Sequence, residues 1–161
     1  MQIFMEENDF IVSKTDLKGR ITYGNAIFIK MSGYQEVELL GAPHNILRHK
    51  DMPAVVFKLL WDRLKEKKAI NAYVKNRCKN GDFYWVFTNV TPSFNNNGEV
   101  IGYYSVRRKP KESAIASIEG IYAALLNAEK FGGISASAEL LETTLKNNKV
   151  TYDEFIINLQ K

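Results

Sequence analysis

A single cysteine, Cys78, stands in the 161 residues, so an intramolecular disulfide and a cysteine-ligated zinc cluster are both excluded, which fits a reducing compartment. Histidine is scarce as well. His44 and His49 are the only pair, five residues apart, with no cysteine or carboxylate placed to complete a ligand set, and no metal site is expected. No apolar run approaches the roughly 20 residues that span a bilayer, and the start MQIFMEENDF lacks the basic and apolar regions of a signal peptide. Charge of one sign does not dominate. The net +4 comes from scattered lysines rather than a basic run interleaved with aromatics, so no nucleic-acid surface and no direct membrane insertion are indicated. Catalytic signatures are missing too: no Gly-x-Ser-x-Gly, no phosphate loop, no HExxH and no nucleophile beside a base. The expectation is a cytoplasmic, soluble protein that is not an enzyme.

What is present is apolar material in ordered patterns. A 45% hydrophobic content supports one core-bearing domain with an appendage. FIVSKT and RITYGN, separated by the turn residues Asp16–Gly19, read as a hairpin of two strands. Asn25 is placed to cap a short helix through Met31 that Gly33 closes, and Gln35–Leu40 makes another short turn of helix. Val55, Val56, Leu59, Leu60 and Leu64 recur at helical spacing, predicting a long helix over Pro53–Lys68. Three segments of period-two alternation follow, AINAYVKNRCK, DFYWVFTNVTPSF and EVIGYYSVRRK, divided by Asn80-Gly81 and Asn97-Gly98, and these predict a three-strand meander. The sum is an α+β architecture: a five-stranded antiparallel sheet with short helices and one long helix on one face. Residues 1–110 form this unit. Residues 111–161 form a C-terminal helical extension: a helix over Lys111–Lys130 with the stripe Ile115, Ile118, Tyr122, Leu125 and Leu126, a break at Gly132–Gly133, and two shorter amphipathic helices.

Between the short helices and the long one lies HNILRHKDMP, His44–Pro53, which gathers two histidines, an arginine, a lysine, an aspartate and a proline. Mixed charge beside a core-facing helix suits the lip of a pocket for a ligand that is partly flat and partly anionic, with Arg48 able to pair bidentately with phosphate. The same residues also suit a solvated capping loop, with Asp51 as N-cap and Pro53 in the first turn.

Several of these runs carry a resemblance. TDLKGRITYGN (Thr15–Asn25), SGYQEVELLG (Ser32–Gly41), PHNILRHKDMP (Pro43–Pro53), the Phe57–Trp61 segment and VKNRCKNGDFYWV (Val74–Val86) resemble the flavin-binding PAS domain of bacterial aerotaxis receptors over Asp9–Arg108. SGY…ELLG is common to many PAS domains; PHN-x-x-RH-x-DMP followed by KNR-x-KNGD-x-YW is far narrower. The whole chain also resembles the freestanding cytoplasmic PAS protein of split, bipartite energy-taxis systems. The resemblance implies a PAS fold, an FAD cofactor, and an RH-x-D segment that holds it, here Arg48, His49 and Asp51. Arg48 suits the pyrophosphate, while His49 and Asp51 fix the lip or contact hydroxyls. Asn76 is a candidate to face the flavin ring, since an amide both donates and accepts; Asn25 is a second candidate on the same grounds. Trp85 either walls the pocket or fills the sheet face. Where the receptors carry a tryptophan after the long helix this chain has Ile70, leaving Trp61 or Tyr73 to replace a stacking contact. Cys78, on a strand beside a turn, is not where light-sensing relatives place their adduct-forming cysteine.

Function expected from the resemblance is a noncatalytic redox or energy sensor (aerotaxis, energy taxis) that signals by protein contact. Its partner is a membrane-bound chemoreceptor-like transducer, with a homodimer as a further possibility. The alternatives are a haem-binding PAS sensor, through one histidine, and a cofactor-free PAS interaction module. Two surfaces are candidates for output: the outer face of the meander, with Tyr84, Tyr103 and Tyr104, and the stripe Ile115, Ile118, Tyr122 and Leu125. The stripe docks on another chain or packs back on its own domain; amphipathicity alone says only that one face is buried.

Overall fold

A computed structural model describes all residues, Met1–Lys161. Strands β1 (Ile11–Thr15) and β2 (Ile21–Gly24) form the leading hairpin. The Asp16 carboxylate closes their turn by accepting the amides of Lys18 and Arg20, both at 2.9 Å, and Gly19 sits in the left-handed region at φ 80°, where a glycine is unstrained. Helix α1 (Ala26–Ser32) starts at Asn25, whose Oδ1 accepts the Phe28 amide. Next come α2 (Glu36–Leu39), a 3-10 turn over His44–Leu47, and α3 (Ala54–Lys65). The meander is β3 (Ile70–Arg77), β4 (Phe83–Phe94) and β5 (Val100–Arg108). The sheet has five strands in the order β2-β1-β5-β4-β3, antiparallel at every pairing. Apolar β-branched and aromatic residues in alternation, cut by Asn-Gly turns, are what such a sheet requires.

Register decides which side chains share a face. Asn76 pairs with Tyr84, Val74 with Val86 and Ala72 with Thr88; Thr88 pairs with Arg107 and Val90 with Ser105; Ser13 pairs with Ser105. All of these lie on one face, since successive side chains alternate. α1 packs under it, burying Phe28 and Met31 with Ile11, Leu47, Tyr84 and Val86 in one apolar cluster. The intervening residues Tyr73, Lys75, Trp85 and Phe87 point the other way.

That opposite face is where the extension goes. α4 (Glu112–Asn147) is two helices joined at Gly133, whose φ of 69° and ψ of −164° interrupt the helical path, as the Gly132–Gly133 break predicts. α5 (Tyr152–Gln160) begins with a capping box between Thr151 and Glu154. Ala114, Ile118, Tyr122 and Leu125 are buried in a cluster with Met52, Val55, Tyr73, Trp85 and Phe87. The short helices and α3 thus lie on one face of the sheet, as expected, and the extension covers the other. β3 is an edge strand, and its outward carbonyls are taken up by the extension: the Tyr122 hydroxyl donates to Tyr73 O at 2.6 Å and the Tyr152 hydroxyl to Asn71 O at 2.8 Å. A strand edge left with free carbonyls would invite pairing with another chain; here side chains close it.

Candidate functional site

Between the inner sheet face and α3 lies a cavity of about 480 Å³, lined among others by Ser13, Arg48, Trp61, Asn76, Thr88 and Arg107, a volume within the ordinary range of small-molecule sites. α3 supplies its apolar wall through Phe57, Leu60, Trp61 and Leu64. Its lip is the 3-10 turn and the residues after it. The turn ends at Arg48, whose backbone bridges to Asn76 on β3, and the Arg48 guanidinium lies 4.8 Å over the Phe57 ring. The lip is thereby fastened to both the helix and the sheet.

The floor is polar, which a sheet face between two apolar clusters does not require for packing. Thr88 and Ser105 bond side chain to side chain at 2.8 Å. Arg107, 2% exposed, donates through Nη2 to the Ser13 hydroxyl, and Ser13 Oγ lies 3.1 Å from His44 Nε2. Arginine can only donate, so the two contacts are compatible when the Ser13 hydroxyl accepts from Arg107 Nη2 and gives its own proton to His44 Nε2. His44 then carries its ring proton on Nδ1. Burial, and next the Arg107 charge, bring the His44 imidazole down to about 3, so it is neutral at ordinary pH. Phe28 stacks on the His44 ring with centroids 5.9 Å apart and receives the Arg107 guanidinium 4.7 Å over its face. Desolvation draws Arg107 down to about 10, still a cation at pH 7. Two of its nitrogens, Nε and Nη1, have no partner, nor does Asn76 Nδ2.

The residues expected from the sequence fall into three groups. Arg48, Trp61 and Asn76 line the cavity. His49 and Asp51 do not; they brace the lip from behind. The His49 ring accepts the Asp51 amide at Nδ1, 3.0 Å, and meets Phe83 edge-on. Asp51 takes the Lys75 ammonium at 2.9 Å, and that pairing holds its carboxyl below the usual range. Asp51 is thus not the N-cap of α3, whose N-cap is Pro53. Asn25 and Trp85 lie away from the cavity. Asn25 spends its side chain on the amides of Phe28 and Val12 and the carbonyl of Phe10, and Trp85 faces the extension, tilted against Tyr122 at 6.0 Å. Tyr73 is no substitute stacking residue, because it too faces the extension and donates to Ile156 O. Ile70 is buried, and Trp61 meets Tyr103 edge-on at the cavity wall. Tyr84 and Tyr103 are on the inner face, which removes them from the outer surface proposed for output; Tyr84 is fully buried. Arg107, Ser13, Thr88 and Ser105 were not anticipated. Their signal is the alternation Tyr103, Ser105, Arg107 along β5, which puts the three on one face without saying which.

An antiparallel sheet with short helices and one longer helix packed over a cavity defines a class of α+β domain. Residues 21–107 match the PAS fold family, and the chain belongs to that family. It is similar to the aerotaxis receptor of Escherichia coli (strain K12), 41% identical over 121 residues, covering 75% of this chain and 24% of the receptor. It is also similar to the nitrogen fixation regulatory protein of Klebsiella pneumoniae, 27% identical over 104 residues, covering 65% of this chain and 21% of that protein. The chain thus spans a quarter or less of the length of these relatives. Among solved structures, a light-oxygen-voltage domain studied with a flavin analogue superposes with a TM-score of 0.60 at 20% identity, over 68% of this chain and 82% of that one. The light-state LOV domain of the blue-light photoreceptor Aureochrome1 superposes at 0.59 and 16% identity, over 75% and 92%. At these identities the structures speak for the fold. No helix is long and apolar enough to cross a membrane.

Proposed function

We propose that this PAS domain is a noncatalytic redox or energy sensor that holds a flavin, FAD, in the cavity and signals by contact with a membrane-bound chemoreceptor-like transducer. One observation carries the reading: an apolar cavity lined by Asn76 and Arg107, side chains that carry buried, unpartnered donors at Nδ2 and at Nε and Nη1, beneath an arginine at its lip. Unpaired buried donors cost free energy unless an acceptor meets them, and a flat heterocycle with acceptors on its edge fits that demand. Kinship with an aerotaxis receptor, the kind of protein whose flavin-binding PAS domain the sequence resembles, supports the choice of flavin. Asn76 and Arg107 would meet the ring, Phe57, Leu60 and Trp61 would cover it, and Arg48 would meet the phosphates at the opening. Bound flavin supplies the redox chemistry, changing its charge and hydrogen-bonding on reduction, while the protein supplies position and a network able to respond. Haem through His44 is disfavoured because its Nε2 faces the Ser13 hydroxyl rather than an open ligand position.

Purified protein is expected to be yellow, with oxidised-flavin bands that bleach with dithionite, and the extracted cofactor is expected to have the mass of FAD. Arg48→Ala should retain the fold and lose most of the flavin. A colourless protein that takes up no flavin on reconstitution overturns the reading, and a Soret band replaces it with haem.

A further inference from the structure

Arg107 has no carboxylate beside it: burial lowers its pKa and only Tyr84 acts the other way. A fully desolvated guanidinium without a counter-ion is destabilising, and one hydrogen bond to Ser13 together with the Phe28 face leaves two nitrogens unmet. Arg108, one residue on, turns to the other face and lies over Phe87. Strand parity thus turns Arg107 to the face that bears the cavity, which it lines together with Asn76, whose Nδ2 also lacks a partner.

We propose that Arg107 is the ligand-recognising cation of the pocket, meeting with Asn76 the acceptor-bearing end of a planar ligand, while Ser13 and His44 act as positioning residues that hold the guanidinium there. The inference rests on the flavin reading, in which that end is the imide, an N–H flanked by two carbonyls. A fixed cation there favours a ligand form with negative charge on that edge over the neutral form. The imide proton of the bound flavin therefore leaves at lower pH than in free flavin.

Arg107→Met, Arg107→Gln and Ser13→Ala test this in the full chain, with wild type alongside. Without flavin, Arg107→Met is expected to unfold at or above the wild-type temperature, since an apolar side chain replaces an unpaired ion. Its flavin dissociation constant, read by fluorescence quenching, is expected to rise roughly ten- to hundredfold, the worth of a hydrogen bond to a charged group. Ser13→Ala should weaken binding by a smaller factor. The absorbance titration of the bound imide should move to higher pH in Arg107→Gln, which also serves for affinity where the Met variant does not fold. Wild type that binds flavin while the Arg107 variants bind equally well, with an unmoved imide titration, overturns this inference and leaves the flavin reading standing. Wild type that takes up no flavin overturns both.

Discussion

Glu129 on α4 caps the first turn of α3 at Ala54, accepting its amide through Oε1 at 2.9 Å while Oε2 accepts the next amide, of Val55, at 3.1 Å. Pro53 at the N-cap offers no side-chain acceptor, so a residue 75 positions away in sequence does the work of a local cap, favoured by the positive end of the helix dipole. Ser137 beyond the Gly133 break donates to the same carboxylate at 2.8 Å. The extension is thereby tied to the helix that walls the cavity.

Removing that tie should be measurable. Glu129→Ala is expected to lose about 1 kcal/mol in chemical denaturation, the usual worth of a helix cap, and Glu129→Gln, which keeps one acceptor, should lose less. Because α3 carries Phe57, Leu60 and Trp61 into the cavity, flavin should also dissociate faster from the alanine variant in stopped-flow release. Equal stability of all three proteins would mean that water caps the helix as well as Glu129 does.

The stripe on the first half of α4 faces its own sheet, so truncation after Pro110 should be severe. Ala114, Ile118 and Leu125 are at most 1% exposed, and burying each larger apolar side chain is worth about 1.5–3 kcal/mol. Truncation would also uncover Trp85 and Phe87 and free the Tyr73 and Asn71 carbonyls at the β3 edge. Against a domain stability of about 5–15 kcal/mol, the shortened chain is expected to aggregate or lose its cooperative thermal transition. A soluble, flavin-loaded, cooperatively melting truncate would return the stripe to the role of docking surface.

The sheet, the α3 pattern and the break at Gly133 were legible because each has a local cause: alternation, helical periodicity, and turn residues that tolerate a left-handed backbone. The lip was legible through its residue types, and Arg48 and Asn76 do reach the cavity. What was not legible is parity and partner. Whether Tyr84 or Trp85 turns inward depends on how the strand is set relative to helices far away in sequence, and a one-residue difference moves a side chain to the opposite face. Asn25 has the chemistry of a ligand contact and is consumed as a cap. Arg107 sits in SVRRK, which reads as a solvated strand end, yet strand order buries it between β1 and β4.

Cys78 should be slow to react. Its Sγ lies 3.1 Å from Met31 O, donating to it, and burial, with Asp82 next in effect, pushes the thiol up to about 11, so the reactive thiolate is scarce at neutral pH. Iodoacetamide labelling of the folded protein at pH 7.5 is expected to run far below the rate in denaturant, and Cys78→Ala to leave flavin absorbance unchanged. Fast labelling of the native protein would show that the strand turn opens.

Acid should loosen the fold through His44. Its folded pKa of about 3 lies below the ordinary value near 6.5, so the folded chain keeps the ring neutral while the unfolded chain protonates it. Stability from this group is therefore complete above about pH 6.5 and is lost as pH falls toward 3, at a slope approaching 1.4 kcal/mol per pH unit for one proton. His49 is also lowered, chiefly by desolvation and then by Lys75, and contributes in the same window. Asp51, held low by Lys75, acts only below its ordinary value near 3.8. Comparing wild type with His44→Gln and His49→Gln above about pH 4.5, where Asp51 does not act, separates the two histidines, because glutamine at 44 can still accept from Ser13 but does not titrate. Between pH 6.5 and 4.5 the unfolding free energy of flavin-free His44→Gln should fall much less steeply than that of wild type, and His49→Gln should fall between them. Parallel curves for wild type and His44→Gln would mean that the ring protonates freely in the folded state, with water reaching it and the Arg107 charge screened.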